Sequence, residues 1–202
     1  MEKMSTNFKD FISGYSIEVV PNSAAKIESF KEILPINTRV YIAHLETENI
    51  ATMVATAKRI NEEGFTVMPH IPARIIQNQT MLNDWISMYH NEAGVKEALL
   101  LAGGSTKPVG DYDSSMQLIE SGLFDKAGFK RLHIAGHPEG NKDIDPDGGM
   151  KNVSEALSWK QEFSNRTDAD MAIATQFCFD ADVVNKWAKN IEQDGIDIPI
   201  HI

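Results

Sequence analysis

A single cysteine, Cys178, excludes an internal disulfide and any zinc site built on several thiolates. Apolar runs are equally scarce, and none approaches the roughly 20 residues needed to cross a bilayer. The opening Met1-Glu2-Lys3-Met4-Ser5-Thr6-Asn7 has no apolar core of a secretory leader. A reducing, cytoplasmic setting without a membrane partner is the expectation. Basic residues are outnumbered, 19 Lys and Arg against 29 Asp and Glu, for a formal net charge of −10. That balance argues against a nucleic-acid partner, because phosphate-backbone binding needs clustered cations. A small anionic cofactor stays compatible, since backbone N–H groups and helix N-termini supply local positive potential. No nucleophile elbow, phosphate-binding Walker loop or GxGxxG run occurs.

What is present is an ordinary globular composition, 42% hydrophobic and 24% charged, in 202 residues with no linker or low-complexity tract. Short apolar segments alternate with amphipathic ones. The spacing predicts strands at Tyr15–Val20, Arg39–Leu45, Thr66–His70, Glu97–Ala102, Arg131–Ala135, Ala172–Phe177 and Ile198–Ile202. Helices are predicted at Thr47–Glu63, Gln79–Glu92, Asp113–Ala127, Ser154–Phe163 and Asp182–Gln193. Such alternation makes a parallel sheet with right-handed crossovers. The fold class is therefore α/β, of the (β/α)8 TIM-barrel type, although an open doubly wound sheet shares the local pattern. Residues 1–202 read as one barrel domain truncated after its seventh strand, lacking one or two β/α units. An unclosed barrel leaves two sheet edges open, which implies a longer polypeptide or completion by a partner, a homo-oligomer included.

In a barrel, chemistry sits at the C-terminal strand ends. Polar residues gather there: Glu18, His44 with Glu46, His70 with Arg74, the loop Gly103-Gly104-Ser105-Thr106, His137-Pro138-Glu139, Gln176 with Asp180, and His201. A concave polar site explains that recurrence better than chance surface polarity. Glu18 lies within an apolar strand, where desolvation would raise its pKa and suit it to general-acid work; a salt-bridged Glu is the plain alternative. His70 reads equally as a ligand donor or a hydrogen-bonded core histidine. The two glycines can admit a phosphate but are more often turn formers. No metal is expected, since the histidines lack ligand spacing. Asp143-Ile144-Asp145-Pro146-Asp147-Gly148 mimics the start of an EF-hand, but Ser154 stands where the bidentate Glu belongs, so a solvated acidic turn is expected. Cys178 and Trp85, Trp159 and Trp187 read as packing.

Together these strand ends resemble the methylenetetrahydrofolate reductase family, flavoproteins on a (β/α)8 barrel. The most specific stretch, Ile173-Ala174-Thr175-Gln176-Phe177-Cys178-Phe179-Asp180, is similar to the family's Thr-Gln-x-x-Phe-Asp strand. Ser16-Ile17-Glu18-Val19-Val20-Pro21 is similar to its Phe-Glu-Phe-Phe-Pro-Pro opening, Pro69-His70-Ile71 to Pro-His-Leu, and His137-Pro138-Glu139-Gly140 to Tyr-Pro-Glu-x-His. Ile198-Pro199-Ile200 looks like its Ile-Pro-Ile, so the order holds from Tyr15 to Ile202. The resemblance implies an oxidoreductase of one-carbon metabolism that passes a hydride from NAD(P)H through FAD to methylene-tetrahydrofolate. Glu18 would be the catalytic acid. Gln176, Phe177 and Phe179 would bind folate, and His70, Gly103, Gly104, Ala135, His137, Glu155 and Lys160 would hold FAD. The sequence departs from the family at its Arg-Gly-Asp, which is Ala102-Gly103-Gly104 here; His137 replaces a tyrosine and Asn141 a histidine. The implied alternative is a folate-binding barrel, associated with methyl transfer, without reductase activity.

Overall fold

The computed structural model describes residues 13–202; the start of the chain, read from sequence as having no secretory leader, lies outside them. Seven strands form among the described residues, β1 Ser16–Val19, β2 Arg39–Ile42, β3 Thr66–Pro72, β4 Glu97–Leu101, β5 Arg131–Gly136, β6 Asp170–Thr175 and β7 Ile200–His201. All six neighbouring pairs are parallel, and the sheet order is β1-β2-β3-β4-β5-β6-β7. A doubly wound sheet reverses its strand order at a switch point. This order never reverses, so every crossover turns the same way and the helices fall on one face.

Strand alternation shows that face directly. Val40, Ile42, Val67, Ile71, Ala98, Leu100, Leu132, Ile134, Met171 and Ile173 join the helix residues Met53, Ile60, Leu82, Ile86 and Trp187 in one core cluster. The intervening positions point the other way, and Tyr41, Met68 and Leu99 form a separate small cluster there. This second face is concave. Tyr41 and His133 stand on β2 and β5, about 14 Å apart across a flat sheet at the usual strand spacing. Their side chains nevertheless meet, Tyr41 Oη to His133 Nδ1, at 2.6 Å. The sheet therefore curls, while β1 and β7 do not pair with each other among the described residues.

The helices are α1 Pro21–Ala24, α2 Ile50–Glu62, α3 Gln79–Ala93, α4 Ser115–Glu120, α5 Leu123–Lys126, α6 Lys151–Ser164 and α7 Ala181–Gln193. Local chemistry sets their ends. Asn49 and Asn78 accept the N–H groups of Thr52 and Met81, and Gly94 closes α3 in the left-handed region at φ 66°. The single helix expected over Asp113–Ala127 is two, because Gly122 takes φ 64° and breaks the run. The strand expected at Ala172–Phe177 begins at Asp170 and ends at Thr175, which puts Phe177 in the following loop. No helix among the described residues is long and apolar enough to cross a membrane.

Candidate functional site

The concave face is built in rows. At the N-terminal strand ends, Glu97 accepts from Arg39 Nε at 2.9 Å and lies 3.9 Å from Arg131 Nε, while Arg131 also pairs with Asp170. These four charges come from β2, β4, β5 and β6 and close the floor of the curl. Above them sit Tyr41, His133 and His201, with the two imidazole rings 5.0 Å apart. Higher still, His70 Nε2 approaches Glu18 Oε2 at 3.1 Å, without the alignment of a full hydrogen bond.

A cleft of about 480 Å³ opens between β1 on one side and β6 and β7 on the other. Glu18, Tyr41, Leu99, Ala174, Gln176, Phe177 and His201 line it. Glu18 and Gln176, matched to the same site by separate motifs, thus share one wall-to-wall space. Phe177 and Phe179 stack edge to face at 4.9 Å yet stay 78% and 85% exposed, an apolar rim at the cleft mouth. Their loop is held from beneath: Glu139 Oε1 accepts the N–H groups of Phe179 and Asp180 at 3.0 and 3.1 Å. Asp180 in turn caps α7, accepting from Asp182 and Val183. A smaller depression of about 330 Å³ lies at the opposite strand ends, around Asn37, Gly64, Gly94 and Lys96.

Electrostatics corrects the expectation for Glu18. Its carboxyl sits below the usual range rather than above it, because the close approach of His70 Nε2, imperfectly aligned as it is, outweighs desolvation. The side chain is 57% exposed on an edge strand, so water still reaches it. His133 is the reverse case. Fully buried, it is pushed down to about 3 by desolvation first and by Arg39, His201 and Arg131 second. Burial likewise raises Tyr41 to about 12.

The residues matched to flavin binding are not all brought together. His70 and Ala135 stand on the concave side of β3 and β5, and Gly103 follows β4 at φ 97°, its Cβ position 3.0 Å from Pro72. Gly104 is exposed beside it. His137, held at about 4 by burial and then by Lys160, adjoins the buried amine of Lys160, itself lowered to about 8 by desolvation. Glu155 is set apart; it is exposed and lies 4.0 Å from Lys151 on the surface of α6. Arg74 is committed to the loop after β4, donating to Asp113 and to Ser105 O. His44 stacks on Trp85 at 5.0 Å instead of facing the cleft.

The acidic turn also differs from expectation. Asp145 is 2% exposed, and its two oxygens accept the Asn152 and Val153 N–H groups at the start of α6. It does the work of a helix cap that Met150 cannot do. Among the described residues no group of three or more His, Cys, Asp or Glu is placed to hold a metal ion.

Tyr41, His133 and the anchoring role of Glu139 were not singled out from sequence. The signal was the two-residue period of the strands: Arg39 and Tyr41, and Arg131 and His133, fall on one face.

No known protein-family profile matches the chain. Among solved structures, a metagenomic short-chain oxidoreductase in complex with NADP is similar at a TM-score of 0.38 and 14% identity, over 95% of this chain and 96% of that one.

Proposed function

We propose that the chain is a methylenetetrahydrofolate reductase-like flavoprotein on a (β/α)8-type barrel, acting on folate with NAD(P)H as hydride source. One observation carries the reading: Glu18, Gln176 and Phe177, matched by separate motifs to one folate site, line a single cleft at the strand ends. The apolar floor of Leu99 and Ala174 with polar groups at its edges suits a flat heterocycle.

The residues also fit a phosphate-bearing cofactor, since Lys160 is a 7% exposed cation that makes no ion pair among the described residues. Lys160, His137, Ala135, His70 and the Gly103-Gly104 turn would hold FAD, with Glu155 outside the set. When bound, FAD supplies the hydride relay between nicotinamide and folate. The chain's own residues position and move protons. In the free protein His70 keeps Glu18 ionised. A ring seated over the cleft expels water from Glu18, which raises its pKa and lets its carboxyl take up and deliver a proton to a folate nitrogen. Gln176 hydrogen-bonds the ring edge, and Phe177 and Phe179 close over it.

The test begins with reconstitution by FAD and the visible flavin absorption of the washed protein. Glu18→Gln should then lower folate reduction about 100-fold or more, while NAD(P)H oxidation by an artificial acceptor persists. Unchanged folate turnover in that variant removes Glu18 from its role. The loss of the family's Arg and Asp at Ala102-Gly103-Gly104 favours a second reading, a folate-binding barrel without reductase activity. A colourless protein that binds folate but not FAD would select it.

A further inference from the structure

His201 has no part in the chemistry assigned to Glu18, Gln176 and the flavin residues, yet it lines the same cleft. It stands on β7 in register with Ala174 of β6, which packs on the concave cluster of Tyr41, Met68 and Leu99. Partners in a parallel pair point to the same face, so the imidazole enters the cleft that Glu18 bounds from β1. Gln176 follows Ala174 by two residues and belongs to the same wall. Short as β7 is, it is fixed from behind. Ile173 N donates to Pro199 O at 2.8 Å, and Gln161 Oε1 of α6 accepts the Asp197 and Ile198 N–H groups at 2.9 and 3.3 Å.

The other strong polar groups of the cleft are engaged. Glu18 faces His70 Nε2 at 3.1 Å, Tyr41 Oη meets His133 Nδ1 at 2.6 Å, and Cys178 Sγ donates to Gln176 O at 2.8 Å. The exposed Gln176 amide and the half-buried His201 imidazole have no hydrogen-bond partner among the described residues. The His201 ring rests at 5.0 Å from that of His133, whose Nε2 is sealed away; neither nitrogen of His201 is.

The surroundings keep His201 uncharged near neutrality. Burial lowers its pKa from the ordinary 6.5, Arg39 of β2 and Arg131 of β5 act in the same sense, and Asp170 of β6 opposes them. His133 on β5 is itself neutral there, and Glu18 stands across the cleft on β1. A neutral imidazole offers one donor and one acceptor, and a glutamine amide offers both kinds as well. Whichever tautomer His201 adopts, the β6–β7 wall therefore holds free donors and free acceptors together. The pyrimidinone half of a pterin, with its ring N–H, carbonyl and exocyclic amine, presents an edge of the same mixed kind.

We propose that His201 is a further ligand-binding residue of the cleft, hydrogen-bonded together with Gln176 to the pyrimidinone edge of the pterin, so that the second ring turns towards Glu18. The proposal rests on the folate reading for the identity of its ligand.

The experiment measures dissociation constants of 5-methyltetrahydrofolate near neutral pH for the whole FAD-treated protein, His201→Ala and His201→Gln. His201→Ala should bind about 5- to 10-fold more weakly, the worth of one hydrogen bond. His201→Gln keeps a donor and an acceptor at the wall and should stay within about threefold of wild type. Proton NMR of the wild type, with the His201 signal identified by its loss in His201→Gln, supplies a readout that needs no variant to bind. A ring seated on the imidazole removes its water, so saturating ligand should move the His201 titration to lower pH. Wild-type affinity in His201→Ala, an equal loss in both variants, or a His201 titration unmoved by saturating ligand overturns the proposal and leaves the folate reading standing. Failure of the wild type to bind 5-methyltetrahydrofolate overturns the folate reading, and the proposal with it.

Discussion

Asp145 offers a sharp test of how the loop after β5 is held. Its carboxylate accepts two N–H groups in the first turn of α6, at 2.9 and 3.0 Å, from a position only 2% exposed. Asp145→Ala removes both charge-assisted bonds and strands two amides that no other side chain among the described residues accepts from. With bonds to a charged group at roughly 1.5–3 kcal/mol each and partial rehydration of the freed turn, the loss should be about 3 kcal/mol. For a domain of this size that lowers Tm by about 6–12 °C. Asp145→Asn keeps one acceptor but turns an NH2 group towards the second amide, so it should recover about half. Thermal unfolding by circular dichroism reads the global effect. Hydrogen exchange reads the local one, with protection of the Asn152 and Val153 amides falling about 100-fold. A Tm within about 1 °C of wild type, with both amides still protected, would refute the capping role.

Backbone packing, an ion pair and two buried histidines each give a further outcome. A Cβ on Gly136 would lie 2.4 Å from Ile173 Cγ2 and 3.2 Å from Trp187 Cη2, so Gly136→Ala should cost about 1–3 kcal/mol in denaturant titration. Glu97→Ala leaves Arg39, 16% exposed, without its carboxylate, and should destabilise by about 2–4 kcal/mol, far more than Lys58→Ala, whose pair with Glu62 is solvated. Acid sensitivity should come largely from two histidines, His133 held at about 3 and His137 at about 4 against an ordinary 6.5. The unfolded chain takes up those protons first, so stability is intact above pH 6.5 and drains as pH falls towards the folded values. By about pH 4 the loss should be on the order of 5 kcal/mol, and His133→Phe should flatten the slope by about half in urea titrations across that range.

The seven strands were legible because buried parallel strands are short apolar runs cut off by turn residues, and Gly64, Gly94 and Gly195, all at positive φ, follow helices that end just before them. The one misjudged helix kept an unbroken apolar rhythm through Leu118, Ile119, Leu123 and Phe124, which hid the break that Gly122 makes. Of the cleft lining, Glu18, Gln176 and Phe177 were singled out because they belong to recognisable motifs, Glu18 inside its strand and the other two in the loop after theirs. Tyr41 and His133 belong to no motif and meet only because the sheet curls. The direction of the Glu18 shift depends on His70, two strands away, and on its exposed edge position, neither visible in one dimension. Asp145 misled for a similar reason: an acidic residue among acidic residues reads as solvated until backbone donors are seen to surround it.

The central claim is that a folate ring binds the concave cleft between β1 and the β6–β7 end. Hydrogen exchange of the FAD-treated protein, with and without saturating 5-methyltetrahydrofolate, tests it most directly. Protection should rise at Ser16–Val19, at residues 175–179 and at Ile200–His201, the segments that bound the cleft. Protection that is absent there, or confined to the opposite strand ends around Gly64 and Gly94, would contradict it.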